Sequence, residues 1–498
     1  MTLRLFNTLT GQLDELAPAD GAELRMYACG PTVYDYGHIG NFRTFLEIDV
    51  LRRFLKLTGM RLRHVMNITD VDDKIIRNAS AAGVPIGEYT AKYVAAFFED
   101  LDALQVERPE IIARATEHID RMVGLIQKLA DAGAAYKADD GSWYFRLRAF
   151  PEYGKLSKKD LSGMEDGARV DVDEYEKDSA RDFALWKAPK PEEMAWDTAI
   201  GPGRPGWHIE CSAMSMEYLG DSFDLHAGGE DLMFPHHENE IAQSESVTHK
   251  PLARHWMHVR FLLVNGKKMS KSEGNFFTLR DLLLKGYKAS AIRLALISVP
   301  YRNQLNFTFD SLTEATAAVD RLRTFHQRLK QGAFPEGDNP EIQAAAQKAS
   351  KEYFDALAND LNTAEARAPI FDLLRLSNTA MDKGEFCAAD REAVLKVLAD
   401  FDAVFAVIED GDNRDLESTR RAVNWAAQSG RLSSDREEDA RLIAAAELTD
   451  ESIEALIAER AEAKKARNFA RADAIRNELA EKGVVLEDSK DGVRWKRK

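Results

Sequence analysis

The stretch ELRMYACGPTVYDYGHIGNFRTFLEIDVLRRFLKL, residues 23–57, decides the fold. Residues 23–30 read as a short strand, and GPTVYDYG reads as a turn. From His38 to Leu57, Phe42, Phe45, Leu46, Asp49, Val50 and Phe54 recur at spacings of three and four, which predicts a helix with one polar exception on its apolar face. RLRHVMNITDVDDK, residues 61–74, offers a second strand running into an acidic loop. About 30 residues between strand starts fits a right-handed βαβ crossover, whose ligand crevice lies at the strand C-termini beside the helix N-terminus. Cys29 and His38 therefore fall at one crevice.

Working outward, residues 80–200 are mostly helical in pattern, with the aromatic run SWYFRLRAF and a charged segment extending to about residue 205. They read as an insertion. The doubly wound pattern resumes with GWHIECSAM, the strand-like SFDLHAGG, the helix-like LMFPHHENEIAQSES and HWMHVRFLLV. Asn265-Gly266 then marks a tight turn before a lysine-rich surface loop. The rest is amphipathic helix, broken near residues 332–340 and 409–415 by Gly, Pro, Asn and Asp. The expected division is 1–110 and 205–277 for two halves of an α/β, Rossmann-like parallel-sheet catalytic domain, with an inserted domain at 111–204. Linking helices follow at 278–331, a helical bundle at 332–430 and a small C-terminal region at 431–498.

Composition sets limits. The 498 residues are 45% hydrophobic and 30% charged, which suits folded domains and excludes a disordered chain. No run approaches the roughly 20 apolar residues of a membrane span, and the N-terminus lacks a signal-peptide pattern. Three scattered cysteines rule out a disulfide framework, so a cytoplasmic setting without a membrane partner is expected. The net charge of −16 gives no overall attraction for polyanions, and no DNA partner is expected. Residues 464–498 are the exception, with 11 Lys+Arg against 6 Asp+Glu. A basic helix, KKARNFARADAIRNELAEKG, and the ending VRWKRK place an aromatic among cations, which suits RNA phosphates and bases.

Two motifs carry chemistry: His38-Ile39-Gly40-Asn41 at the helix start, and Lys268-Met269-Ser270-Lys271-Ser272 on the later loop. A histidine beside unpaired helical N–H groups, with two lysines three apart on a glycine-flanked loop, makes a clamp for a triphosphate. Together they resemble the HIGH and KMSKS signatures of class I aminoacyl-tRNA synthetases, with Asn41 where the second signature histidine usually stands. A third constellation comprises Cys29, Cys211, His236 and Glu240. The last two, four apart, share a helix face and with two thiolates could form a tetrahedral site of zinc type, although distant cysteines are commonly plain buried thiols.

The blocks YACGPTVYDYGHIGN, NITDVDDK, GWHIECSAM, GGEDLMFPHHENE and KMSKSEGNFF resemble the cysteinyl-tRNA synthetase family over nearly the whole chain. The resemblance implies ligation of L-cysteine to tRNA(Cys) through a cysteinyl-adenylate, with ATP as substrate accompanied by Mg2+, and a C-terminal domain that reads the anticodon. It implies one active-site Zn2+ on Cys29, Cys211, His236 and Glu240 that binds the substrate sulfur. His38, Lys268 and Lys271 become the catalytic groups, with Asn41 and Ser270 joining them in the ATP site. Thr69, Trp207 and His226 become contacts to the amino acid, and His237 and Glu238 orient the metal ligands. Asp70, Asp72 and Asp73 read instead as helix caps, and Cys387 as an inert thiol. A related ligase that passes cysteine to an amino sugar is the nearest rival, and a zinc hydrolase is a more distant one lacking HExxH order.

Overall fold

The computed structural model describes residues 2–159, 182–190, 193–409, 411–432, 448, 450–482, 484–489 and 492–497. Its centre is a five-stranded, all-parallel sheet of β1 (Leu24–Ala28), β2 (Leu62–Ile68), β3 (Ile111–Arg114), β4 (Phe223–Gly229) and β5 (Ala253–Val259). The strand order is β5-β4-β1-β2-β3, so the chain leaves β1 toward one edge and later returns to its other side. That reversal between β1 and β4 opens a crevice at their carboxyl ends.

Helix α1 (Ile39–Leu57) makes the first crossover. Phe42, Leu46, Val50 and Phe54 are buried against the sheet, each stabilising the domain by roughly 1.5–3 kcal/mol. The polar exception, Asp49, is equally buried because it pairs with Arg53 at 2.8 Å and Arg293 at 2.7 Å and accepts the Glu107 N–H. Side chains alternate across the sheet. Met26 and Ala28 face the core that contains α1, whereas Tyr27 and Cys29 face the core on the other side. That second core is filled by α2 (Trp207–Leu219) and α3 (Glu238–Thr248), so Cys29 points toward both.

The parallel sheet extends past residue 110, since β3 pairs with β2 in register from Val65↔Ile111 to Ile68↔Arg114. After it comes helix Ile119–Asp131 and a separate antiparallel sheet of Ala135–Lys137, Trp143–Phe145, Phe183–Lys187 and Arg204–Pro205. Part of the expected insertion, residues 160–181 and 191–192, lies outside the described residues.

Three other readings are revised. LMFPHHENEIAQSES is not one helix: extended Phe234 interrupts it, and α3 starts at Glu238. The basic C-terminal helix is two, Asp450–Lys465 and Phe469–Glu481, because Arg467 turns left-handed and Asn468 caps the second. Trp495, on the hairpin Val484–Ser489/Gly492–Arg497, packs against a small core of Ile453, Ile475, Leu479 and Leu486. No helix of the described residues is long and apolar enough to cross a membrane.

Candidate active site

Each crevice group owes its place to a strand or helix end. Cys29 follows β1 directly, and Gly30 behind it donates to Asn67 Oδ1 at 2.7 Å. A Cβ on Gly30 would meet the Asn67 carbonyl at 1.7 Å, so this close approach of β1 to β2 requires glycine. Cys211 lies in the second turn of α2, while His236 and Glu240 come from the turn before α3 and its first turn. One ligand atom from each of Cys29, Cys211, His236 and Glu240 lies within 4.8 Å of the others, and all four residues are buried. Residues separated by as much as 211 positions thus converge on one point.

The electrostatics of this box favour a cation. Burial opposes ionisation of Glu240, but His226 and His236 outweigh it and hold its carboxyl down to about 2. Burial likewise disfavours a charged His236, yet Cys211 and Glu240 push it up to about 10. Burial raises the Cys29 thiol well above its usual value, and the neighbouring Cys211 and Glu240 add to the effect. For Cys211 burial is overcome by hydrogen bonding from Cys29 and by His236, which bring it down to about 6. Three potential anions share one buried site. Glu240 Oε1 lies 3.0 Å from His236 Nε2, which has no aligned hydrogen-bond acceptor. Two sulfurs, one imidazole nitrogen and a carboxylate oxygen form a donor set suited to a tetrahedral soft or borderline cation.

Three further histidines belong here. Cys29, His226, His237 and Glu240 form a second convergent set within the same 4.8 Å limit. His226 Nε2 is 2.9 Å from Glu240 Oε2 and its ring stacks on Trp256, while His237 Nε2 is 3.3 Å from Cys29 Sγ. His208 holds the far side of His236 through an Nδ1···Nδ1 contact of 2.9 Å. Burial and the proximity of His236 keep His208 well below its ordinary pKa, so it remains neutral and orients the His236 ring. The role of His208 escaped sequence reasoning, although its spacing of three from Cys211 on α2 places both on one helix face.

At the other end of the crevice, His38 is the N-cap of α1. Its Nδ1 accepts the Asn41 N–H at 3.2 Å, while Asn41 Oδ1 accepts the His38 N–H at 3.1 Å. This reciprocal capping box gives Asn41 a physical role at the departed signature position: it fixes the imidazole by satisfying the helix end. Burial lowers the His38 pKa against the opposing pull of Asp231. The lysine loop leaves a hairpin, Leu262–Val264/Lys267–Lys268, turned by Asn265 and Gly266 with both φ values positive. Its far end joins α1 where Ile39 N–H donates to the Phe277 carbonyl at 3.0 Å. A Cβ on Gly40 would crowd both the His38 ring and Met269 Cε at 3.0 Å, so the two motifs meet across that glycine.

Between the motifs lie two adjoining cavities of about 520 and 340 Å³, sharing His38, Asn41, Thr44, Asp231 and Phe276. Lys268 lines the larger; Cys29, Trp207 and Lys271 line the smaller. Lys271 reaches Asp35 at 2.8 Å. Trp207, 37% exposed, lays its ring 4.2 Å from that of His236. Thr69, His226 and Ser270 line neither cavity. Thr69 is buried and donates to Glu210 at 3.0 Å, and Ser270 N–H donates to Asn275 within the loop. Of the acidic run, Asp72 caps the helix Asp73–Ala82, Asp73 pairs with Arg204 and Lys187, and Asp70 accepts from Thr116. Cys387 is the N-cap of Ala388–Phe405, not an interior helical residue.

Residues 15–317 match the family described as tRNA synthetases class I (C) catalytic domain, and residues 446–495 match the cysteinyl-tRNA ligase anticodon binding domain. The cysteine–tRNA ligase of Koribacter versatilis (strain Ellin345) is 61% identical over 498 residues, covering 100% of both chains. The chain belongs to the cysteine–tRNA ligase family of class I aminoacyl-tRNA synthetases. The cysteine–tRNA ligase of Solibacter usitatus (strain Ellin6076) is 54% identical over 100% of both chains. That of Leptospira interrogans serogroup Icterohaemorrhagiae serovar Lai is 42% identical over 100% of this chain and 99% of its own. The fold is shared with Mycobacterium tuberculosis methionyl-tRNA synthetase in complex with methionyl-adenylate. That likeness has a TM-score of 0.55 and 15% identity, covering 81% of this chain and 91% of that one. As a class I synthetase the chain is an ATP-using ligase, and its buried Cys/His/Glu cluster could hold a metal.

Proposed function

We propose that the chain ligates L-cysteine to tRNA(Cys) in the cytoplasm in two steps. L-cysteine and Mg2+-bound ATP give cysteinyl-adenylate and pyrophosphate, and the cysteinyl group then passes to the terminal adenosine. The observation that carries this reading is the convergence of Cys29, Cys211, His236 and Glu240 within 4.8 Å beside the cavity lined by His38 and Lys271. Those four residues would hold Zn2+, which when bound supplies a soft Lewis acid that prefers a thiolate to an alcohol. Trp207 and the neutral His208 keep His236 aligned toward the incoming amino acid. His226 restrains Glu240, and Thr69 ties β2 to α2 through Glu210, so both support the amino-acid pocket from beneath its surface. His38, Lys268 and Lys271 neutralise charge that develops on the triphosphate as pyrophosphate leaves, with Asn41 holding His38 and Ser270 shaping the loop. The match of residues 446–495 to an anticodon binding domain favours tRNA over an amino-sugar acceptor.

The test is cysteine-dependent ATP–pyrophosphate exchange on purified protein, with serine in parallel and zinc quantified. We expect about one zinc per chain and a preference for cysteine of roughly 10⁴ or more, beyond what an apolar pocket achieves. The Cys29→Ala variant should lose zinc and exchange together. Full zinc with wild-type exchange in that variant would overturn the reading.

A further inference from the structure

Glu238 does something other than orient a metal ligand. Its fully buried carboxylate accepts three backbone N–H groups, from Gly154 at 2.9 Å, Leu156 at 3.3 Å and Ser157 at 2.9 Å. Beside it the Tyr153 hydroxyl donates to Asn239, and Lys155 pairs with Glu245. A strap from the inserted region, residues 153–157, is thereby fixed along α3, the helix that carries Glu240. Two residues beyond the last clamp, Lys159 lines the 520 Å³ cavity that also holds His38 and Lys268, with its Nζ 4.0 Å above the Phe234 ring.

Charge decides what this lysine faces. Among the described residues, the charged groups lining that cavity are Lys159, Lys268, Glu230 and Asp231, with Arg260 3.5 Å from Glu230 but outside the lining. Without Lys159 the described lining would carry two carboxylates against one lysine and would disfavour a polyanion. The Phe234 face is already covered by the ammonium, so that ring is not an open platform for stacking a base. We infer that Lys159 is a further contact to the nucleotide's phosphates, delivered by the inserted region, and that Glu238 is its positioning residue. The inference rests on the reading of the chain as an ATP-dependent ligase.

Full-length Lys159→Met and Glu238→Gln proteins, assayed by cysteine-dependent ATP–pyrophosphate exchange without tRNA, test it. Loss of one charge-assisted contact should raise the KM for ATP about tenfold in Lys159→Met, with the KM for cysteine and the zinc content unchanged. Glu238→Gln should raise the KM for ATP in the same direction and speed hydrogen exchange at the amides of Gly154, Leu156 and Ser157, again with zinc retained. The inference is overturned if the wild type exchanges normally and Lys159→Met keeps its KM for ATP. It is overturned equally if only transfer to tRNA is impaired, because the phosphates met by Lys159 would then belong to the acceptor strand. Zinc loss in Glu238→Gln would reassign Glu238 to the metal cluster. Absence of cysteine-dependent exchange in the wild type would instead defeat the underlying reading.

Discussion

The Cys/His/Glu cluster and the lysine loop are built on opposite physical terms. Cys29, Cys211, His236 and Glu240 are buried, and neighbours such as His208, His226, His237 and Trp207 contact them closely. Lys271 is 67% exposed and is tethered by an ion pair to Asp35, itself on the crevice rim. A dry, preorganised site can discriminate one sulfur from one oxygen, because each donor's position is fixed before the substrate arrives. A flexible triphosphate needs only charge at the right range, which long lysine side chains supply from solvent. On the proposed function, selection falls to the buried region and charge neutralisation to the exposed one.

The largest effect should come from Lys268→Ala or Lys271→Ala. Each should lower the exchange rate about 10²–10³-fold while the KM for cysteine and the zinc content stay at wild-type values, as steady-state kinetics would record. Coupled loss of zinc would break the separation. His208→Phe should do the reverse, weakening zinc affinity about 10–100-fold in a competition titration with a chelator while leaving the KM for ATP little changed. Asp35→Asn, which removes an exposed partner of Lys271, should change exchange by only a few-fold, since such pairs contribute about 0.2–1 kcal/mol.

A smaller effect separates the crevice from its scaffold. Glu47 of α1 is buried without a hydrogen bond and 3.9 Å from Arg43; burial lifts its carboxyl to about 8, partly offset by Arg43 and Arg293. Between its ordinary value near about 4.3 and this raised value the folded state holds a proton that the unfolded chain releases, so stability declines as pH rises through that window. Glu47→Gln should remove that decline, and urea melts at about pH 5 and pH 8 would show it. An equal pH dependence in both proteins would mean that Glu47 is not the titrating group.

Much of this division is legible in the sequence. The spacing of Phe42, Leu46, Val50 and Phe54 encodes α1, and Asn265-Gly266 encodes the hairpin that presents the lysine loop, because both are local rules. The four donors could be nominated from residue type and from the resemblance, but their convergence depends on strand alternation at Cys29 and on the return of β4 beside β1. Three features were not read from the pattern. Asp49 looked like a flaw in an apolar face until Arg293, 244 residues later, supplied its partner. Asn41 looked like a missing histidine, yet its amide closes the cap that holds His38. Glu238, within a run of metal-ligand candidates, binds the backbone of a segment more than 80 residues earlier. For Asp49 and Glu238 the deciding partner is distant in sequence and near in space, whereas the Asn41 cap is a local pairing three residues apart.

Counting the sulfur atoms around the metal by X-ray absorption spectroscopy tests the division most directly. Zinc held by Cys29 and Cys211 should show two sulfur neighbours in the resting protein, three once L-cysteine is added, and two still in the presence of L-serine. A count that stays at two with either amino acid would mean that selection between thiol and alcohol occurs somewhere other than this buried cluster.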